Sequence, residues 1–251
     1  MRRLLLPAMA ALGVVLVLPL PASSPSALPP VPRVPPLELP FSGYWWTVRH
    51  SDAPSEPGPN SFSATNAYLD LSGAMHLKLT QNPLGKWGAA EIDAVDLFGY
   101  GTYTWTIGTP LTEFDPNVAL GLFTRSGTAV DSAREIDIEV ARWGRSWEPK
   151  GAQFVVQPAG DPGHLVRVDA PAGSNSVLQF VWQKGRVDFR VVDAGRILDR
   201  WTFKGASVPV DGENRTSMNL WTYGGFPPTD GKTHEVVIKK FTFCPITSTC
   251  S

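Results

Sequence analysis

Residues 132–144 read SAREIDIEVARWG, with Glu135, Asp137 and Glu139 on alternate positions and Ile136, Ile138 and Val140 falling in step with them. Successive side chains of an extended chain point to opposite faces, so this spelling predicts a β-strand with one apolar face and one face carrying three carboxylates. The apolar face is made for burial. The acidic face gathers charges that repel one another, which suits either a wet sheet surface or a site that needs carboxylates side by side.

The same alternation continues to both sides. Short runs such as AYLDL, MHLKLT, GTYTWTI, VALGLF, AQFVVQ, VLQFVW, RVDFRVV and EVVIKKFTF are separated by clusters of Gly, Pro, Asn and Asp, and no stretch keeps a helical period. About a dozen strands at this spacing predict an all-β fold, an antiparallel sandwich or β-jelly roll, over residues 41–243. The absence of a fixed internal repeat argues against a propeller or a β-helix.

Composition narrows the function. The 251 residues are 43% hydrophobic and 18% charged, enough for one domain with a real core, and 22 basic against 23 acidic side chains leave a formal charge of -1. No basic run or stripe is visible that would neutralise a phosphate backbone, so nucleic acid is not an expected partner. Two arginines followed by an apolar run from Leu4 to about Leu18 have the layout of a secretory signal peptide over residues 1–22, with an uncleaved anchor as the alternative. With cleavage, no stable membrane partner is expected, and the product is a secreted or envelope-associated monomer. Residues 23–40 are proline-rich and predict a semi-rigid spacer. The only cysteines, Cys244 and Cys250, fall in the tail at 244–251, where export favours a disulfide. His50, His76, His164 and His234 have no metal-ligand spacing. Asn214 to Thr216 spell an N-glycosylation acceptor, a short motif with a high chance rate.

Geometry gives the acidic strand a specific chemistry. Residues 135 and 139 should have Cα atoms about 13 Å apart, and side chains leaning toward each other bring the carboxyls to about 5–6 Å. That is near the ~5–5.5 Å of a retaining glycosidase and short of the ~6.5–9.5 Å of an inverting one. One carboxylate must stay ionised to attack the anomeric carbon while another holds a proton for the leaving oxygen. A third acid between them raises one proton affinity and shares a proton.

The string Glu135-Ile136-Asp137-Ile138-Glu139 resembles the active-site strand of the family 16 glycoside hydrolases, retaining β-glucanases with a concanavalin A-like β-jelly roll. AAEIDAVDLFGYGTY (89–103) resembles the strand and turn that precede the active site in the lichenase branch. QFVVQP (153–158) and MNLW (218–221) resemble cleft strands, so the resemblance spans the whole domain. It implies Glu135 as nucleophile, Asp137 as its electrostatic helper and Glu139 as general acid/base. Glu91, Gln157, Asn219 and Trp221 are implied as sugar contacts, and Asn60, in PGPNSFS, as a weaker one. With no extra residue between Asp137 and Glu139, the strand lacks the bulged form of the laminarinase branch. It departs from lichenases at Ala133, where they carry Trp, and at Asp93, where they carry Arg. Trp143, in the turn after the acids, is a candidate aromatic platform in place of the lost contacts.

The function expected is an exported, endo-acting, retaining hydrolase of β-linked polysaccharide, with β-glucan as the foremost class. A transglycosylase on the same fold, a non-catalytic carbohydrate-binding protein and a structural envelope protein stand as alternatives. The chemistry requires no cofactor. Some jelly-roll glucanases hold a structural Ca²⁺, but no loop here has the ligand spacing for one.

Overall fold

The computed structural model describes residues 37–126, 134–212 and 214–250. The signal segment, the spacer up to residue 36 and Ala133 lie outside the described residues. From Pro36 onward the chain forms one compact unit.

Seventeen strands are described, numbered along the chain: β1 (Glu38–Phe41), β2 (Tyr44–Val48), β3 (Ser51–Ser55), β4 (Asn60–Phe62), β5 (Ala67–Leu69), β6 (Met75–Gln81), β7 (Trp87–Ala94), β8 (Gly101–Ile107) and β9 (Val118–Ser126) come first. Then follow β10 (Ile136–Ala141), β11 (Ala152–Val156), β12 (Leu165–Val168), β13 (Ser176–Gln183), β14 (Arg186–Asp193), β15 (Arg196–Lys204), β16 (Asn214–Thr222) and β17 (His234–Pro245). Pairing is antiparallel throughout except for β4 on β7. One sheet runs β1-β2-β7-β16-β9-β10-β11-β12, and the other runs β5-β6-β17-β8-β13-β14-β15. The short β3–β4 ribbon lies alongside β7, and β6 of the second sheet pairs with β7 of the first where the two meet. This is the antiparallel β-jelly-roll sandwich expected from the alternation, with more strands because short pieces such as β1, β3 and β4 carry little pattern.

The two sheets bury their facing sides against each other. Ile136, Ile138 and Val140 are fully buried, as are Leu120 and Leu122 of β9 and Phe154 of β11. Aromatic rings fill the opposite sheet's inner face: Tyr103 stacks on Phe180 at 4.6 Å, and Trp105 packs on Phe241 at 5.4 Å. Trp46, Trp105 and Trp182 are entirely enclosed, so core filling accounts for a third of the 9 tryptophans.

Two expectations change. Pro40 belongs to strand β1 rather than to the spacer, which β1 tolerates because it is an edge strand paired only with β2 and a missing N–H costs nothing there. Asn214, the glycosylation candidate, is fully buried in β16 with its Nδ2 donating to the Arg134 carbonyl at 3.4 Å, so it offers no accessible acceptor. Cys244 and Cys250 are disulfide-bonded, tying the tail back to the end of β17.

Candidate active site

The acidic strand lies deep inside its sheet. β10 is paired with β9 on one side and β11 on the other with no register shift, so the alternation read in the sequence is carried undisturbed. Asp137 lies opposite Phe123 and Val155, and Glu139 opposite Gly121 and Gln153. Glu135 directly precedes β10, and its carbonyl accepts the Gln157 N–H at 3.0 Å. All three acids line a cleft of about 400 Å³ on the side of the sheet away from the core.

The next strands deliver the opposite wall. Asn219 of β16 lies between Gly121 of β9 and Glu91 of β7. A Cβ on Gly121 would fall 2.5 Å from Asn219 Oδ1. Glycine therefore lets Asn219 accept the Gly121 N–H at 3.1 Å while its Nδ2 donates to Glu91 Oε2 at 3.1 Å. Glu91 is 1% exposed, and Arg49 and Arg125 approach its Oε1 at 2.9 and 3.5 Å. Burial and the charge of Asp93 raise its proton affinity, and the two guanidiniums oppose the rise.

Along β10 the three acids differ in their partners. Burial pushes Glu139 up to about 7, even though Gln153 Nε2 donates to its Oε2 at 2.6 Å. Gln153 is locked in that orientation, because its own Oε1 accepts from Trp143 Nε1 at 3.0 Å and Arg167 Nη1 at 2.9 Å. Asp137 is driven well above the carboxylate range by burial and by the charges of Glu135 and Glu139, so it is the proton donor in its hydrogen bond with Glu135. Gln157 Nε2 also donates to Asp137 Oδ2, at 3.0 Å. Burial raises Glu135 too, opposed only in part by the bond from Asp137 and the charge of Arg125. Burial thus raises all three acids, and Asp137 shares its proton with Glu135.

The other candidates separate into two groups. Glu91, Gln157, Asn219 and Trp221 line the cleft with the acids. Trp143 does not: it packs on Trp221 at 5.9 Å and Tyr223 at 5.5 Å and spends its indole N–H on Gln153, which makes it a support of the site. Asn60 lies outside the cleft. Its Nδ2 donates to the carbonyls of Pro57 and Thr222, and its Oδ1 accepts from Thr222 N and Oγ1, so the whole amide is used in pinning its loop to β16.

Among the described residues one group, Asp115, Asp230 and His234, brings potential cation ligands within 4.8 Å of one another. Asp115 already accepts from Asn117 N, from Thr229 N and Oγ1 and from Asp230 N, and these bonds fix the loop before β17.

Against solved structures, the chain superposes on a Bacillus licheniformis β-glucanase with a TM-score of 0.61 and 22% identity, covering 83% of this chain and 97% of that one. A prokaryotic β-1,3-1,4-glucanase (lichenase) from a mouse hindgut metagenome gives 0.59 and 23%, over 80% and 93% of the two chains. A family 16 endo-glucanase from Bacteroides ovatus, in complex with G4G3G-2F-DNP, gives 0.60 and 12%, over 79% and 94%. The fold is that of the β-glucanases. No protein-family model matches the sequence, and no curated protein does.

Within this β-glucanase fold the departure at Asp93 acquires a partner. Arg125 of β9 reaches across β16 to Asp93, Nη2 to Oδ1 at 2.9 Å, so a guanidinium stands in the cleft although the position expected to supply it is acidic. Arg125, Arg49, Gly121, Phe123 and Gln153 were not singled out from sequence. Gln153 was accessible to the period-two rule, since it shares a strand face with Gln157. Arg125 carries no local signal, because its place beside Glu135 and Glu91 comes from the order in which β7, β16, β9 and β10 pair.

Proposed function

We propose that the chain is an exported family 16 glycoside hydrolase that cuts β-linked glucan within the polymer through a covalent glycosyl-enzyme. The observation that carries this reading is that Glu135, Asp137 and Glu139 line one cleft from one strand, with Asp137 hydrogen-bonded to Glu135 and the buried Glu139 raised to about 7. Glu135 attacks the anomeric carbon while Glu139 gives its proton to the departing oxygen, and the glycosidic bond breaks as the ester to Glu135 forms. Glu139 then takes a proton from water, the water oxygen attacks the same carbon, and Glu135 leaves as carboxylate. Asp137 donates more strongly to Glu135 whenever Glu135 is ionised, which stabilises it as leaving group. Glu91 and Asn219 present polar atoms to sugar hydroxyls, and Trp221 offers an apolar face to a pyranose ring.

The glucanases with which the chain shares its fold support glucan as the substrate class, and the apolar N-terminal run supports export. The test incubates the protein with β-1,3, β-1,4 and mixed-linkage glucans, following new reducing ends beside a Glu135→Gln control. Internal cleavage by wild type alone is expected. A folded wild type that cuts none of them, or an equally active control, overturns the reading.

A further inference from the structure

The outer face of the second sheet holds charges in an arrangement that folding disfavours. On β14 and β15 the register sets Arg186 opposite Lys204, Asp188 opposite Thr202, and Arg190 opposite Arg200. Like charges directly opposite on paired strands destabilise a sheet, and this ribbon has two such pairs. The one acid among them is already used: Asp188 accepts from Arg186 Nε and Nη2 at 2.6 and 2.7 Å and from Thr202 Oγ1 at 2.6 Å. Among the described residues no carboxylate forms an ion pair with Arg190, Arg200 or Lys204, and all three are exposed. β15 ends its sheet, so the ribbon is open on one flank, and a shallow depression of about 510 Å³ runs over Arg186, Asp188, Arg190, Arg200 and Thr202, with Phe189, Ile197 and Trp201 at its apolar side.

We propose that this face docks an acidic polysaccharide, a chain carrying carboxylates at intervals. The two basic rows are four residues apart, hence about 13 Å, and the two guanidiniums of one row spring from Cα atoms about 5 Å apart. A linear chain laid along the ribbon meets the forks of Arg190 and Arg200, passes the Asp188–Thr202 row with a neutral stretch, and meets Lys204, since Arg186 is spent on Asp188. Guanidinium forks match carboxylates in bidentate geometry. A polymer as densely charged as duplex DNA, with a charge per ~1.7 Å, sets phosphates against Asp188. A bilayer sets its lipid phosphates against Asp188 in the same way. The ribbon lies on the outer face of the sheet opposite the one that carries the cleft, so the docked chain is not the one being cut.

The proposal stands whether or not the cleft hydrolyses glucan. Electrophoresis of the intact protein through native gels containing polygalacturonate tests it, beside gels with neutral β-glucan, and with duplex DNA and phosphatidylserine vesicles as separate arms. Retardation by polygalacturonate is expected, relieved by salt and weakened about tenfold in Arg190→Gln/Arg200→Gln. That variant should melt no lower than wild type, since it loses a repulsion, and should keep any glucanase activity. An Arg190→Lys/Arg200→Lys variant, charged but without forks, should fall between. No retardation, equal retardation of the Gln variant, or selective loss of DNA or vesicle binding where polygalacturonate is not bound overturns the proposal.

Discussion

Glu139 keeps a proton up to about pH 7 because its carboxyl is buried, and Gln153 works against that by donating to the ionised form. In the proposed mechanism the general acid is lost as pH rises through that value, so kcat/KM should fall on the alkaline side near pH 7. Gln153→Leu removes a bond that favours the carboxylate, so the limb should move to higher pH while kcat drops about tenfold or more as the carboxyl loses its orientation. A pH–rate profile of the two proteins checks both. Stability follows the same linkage with its own sign. The folded state raises Glu139 above the ordinary 4.5, so it binds more protons than the unfolded chain, and stability falls as pH climbs from about 4.5 to 7. Glu139→Gln should therefore melt higher than wild type at pH 8 and gain little at pH 4, read by thermal unfolding at the two pH values. Which residues would be acids was legible in five letters of sequence. Which one would keep its proton was not, since burial and the locked Gln153 amide come from strands eleven or more positions away.

At the level of strands, β10 was readable because both of its faces are exacting: isoleucines inward and carboxylates outward leave one register. Gly121 was not, since a glycine in an apolar run says nothing until its neighbour across the ladder is known. Gly121→Ala places a methyl against Asn219 Oδ1, which must turn away and release Glu91. KM for glucan should rise several-fold with a smaller change in kcat, measured by initial rates. Trp143 separates a sugar platform from a support in the same way. Trp143→Phe keeps the packing on Trp221 and removes the N–H to Gln153, so kcat and the pH limb should shift while KM stays near wild type. A several-fold rise in KM alone assigns the ring to sugar binding instead. The prolines misled at β1 for a plain reason: composition marks a spacer, but only pairing shows that Pro40 is on an edge where its missing donor is harmless.

Over the whole molecule, a balanced formal charge concealed an outer ribbon on which basic side chains outnumber acids. The basic residues are spread through positions 186 to 204, and only the hairpin register brings them face to face. Fold class survived this because alternation is local, whereas charge patterning across strands is a property of the assembled sheet. The position of β17 has a consequence of the same order. It pairs with β6 and β8 in the interior of its sheet, so residues 75–81 and 101–107 have no bridge between them until residues 234–245 have been synthesised. Contacts spanning more than a hundred residues close slowly. A growing chain therefore stays open until residues 234–245 have been made, and the sandwich closes only when that strand is free to slot between its two neighbours.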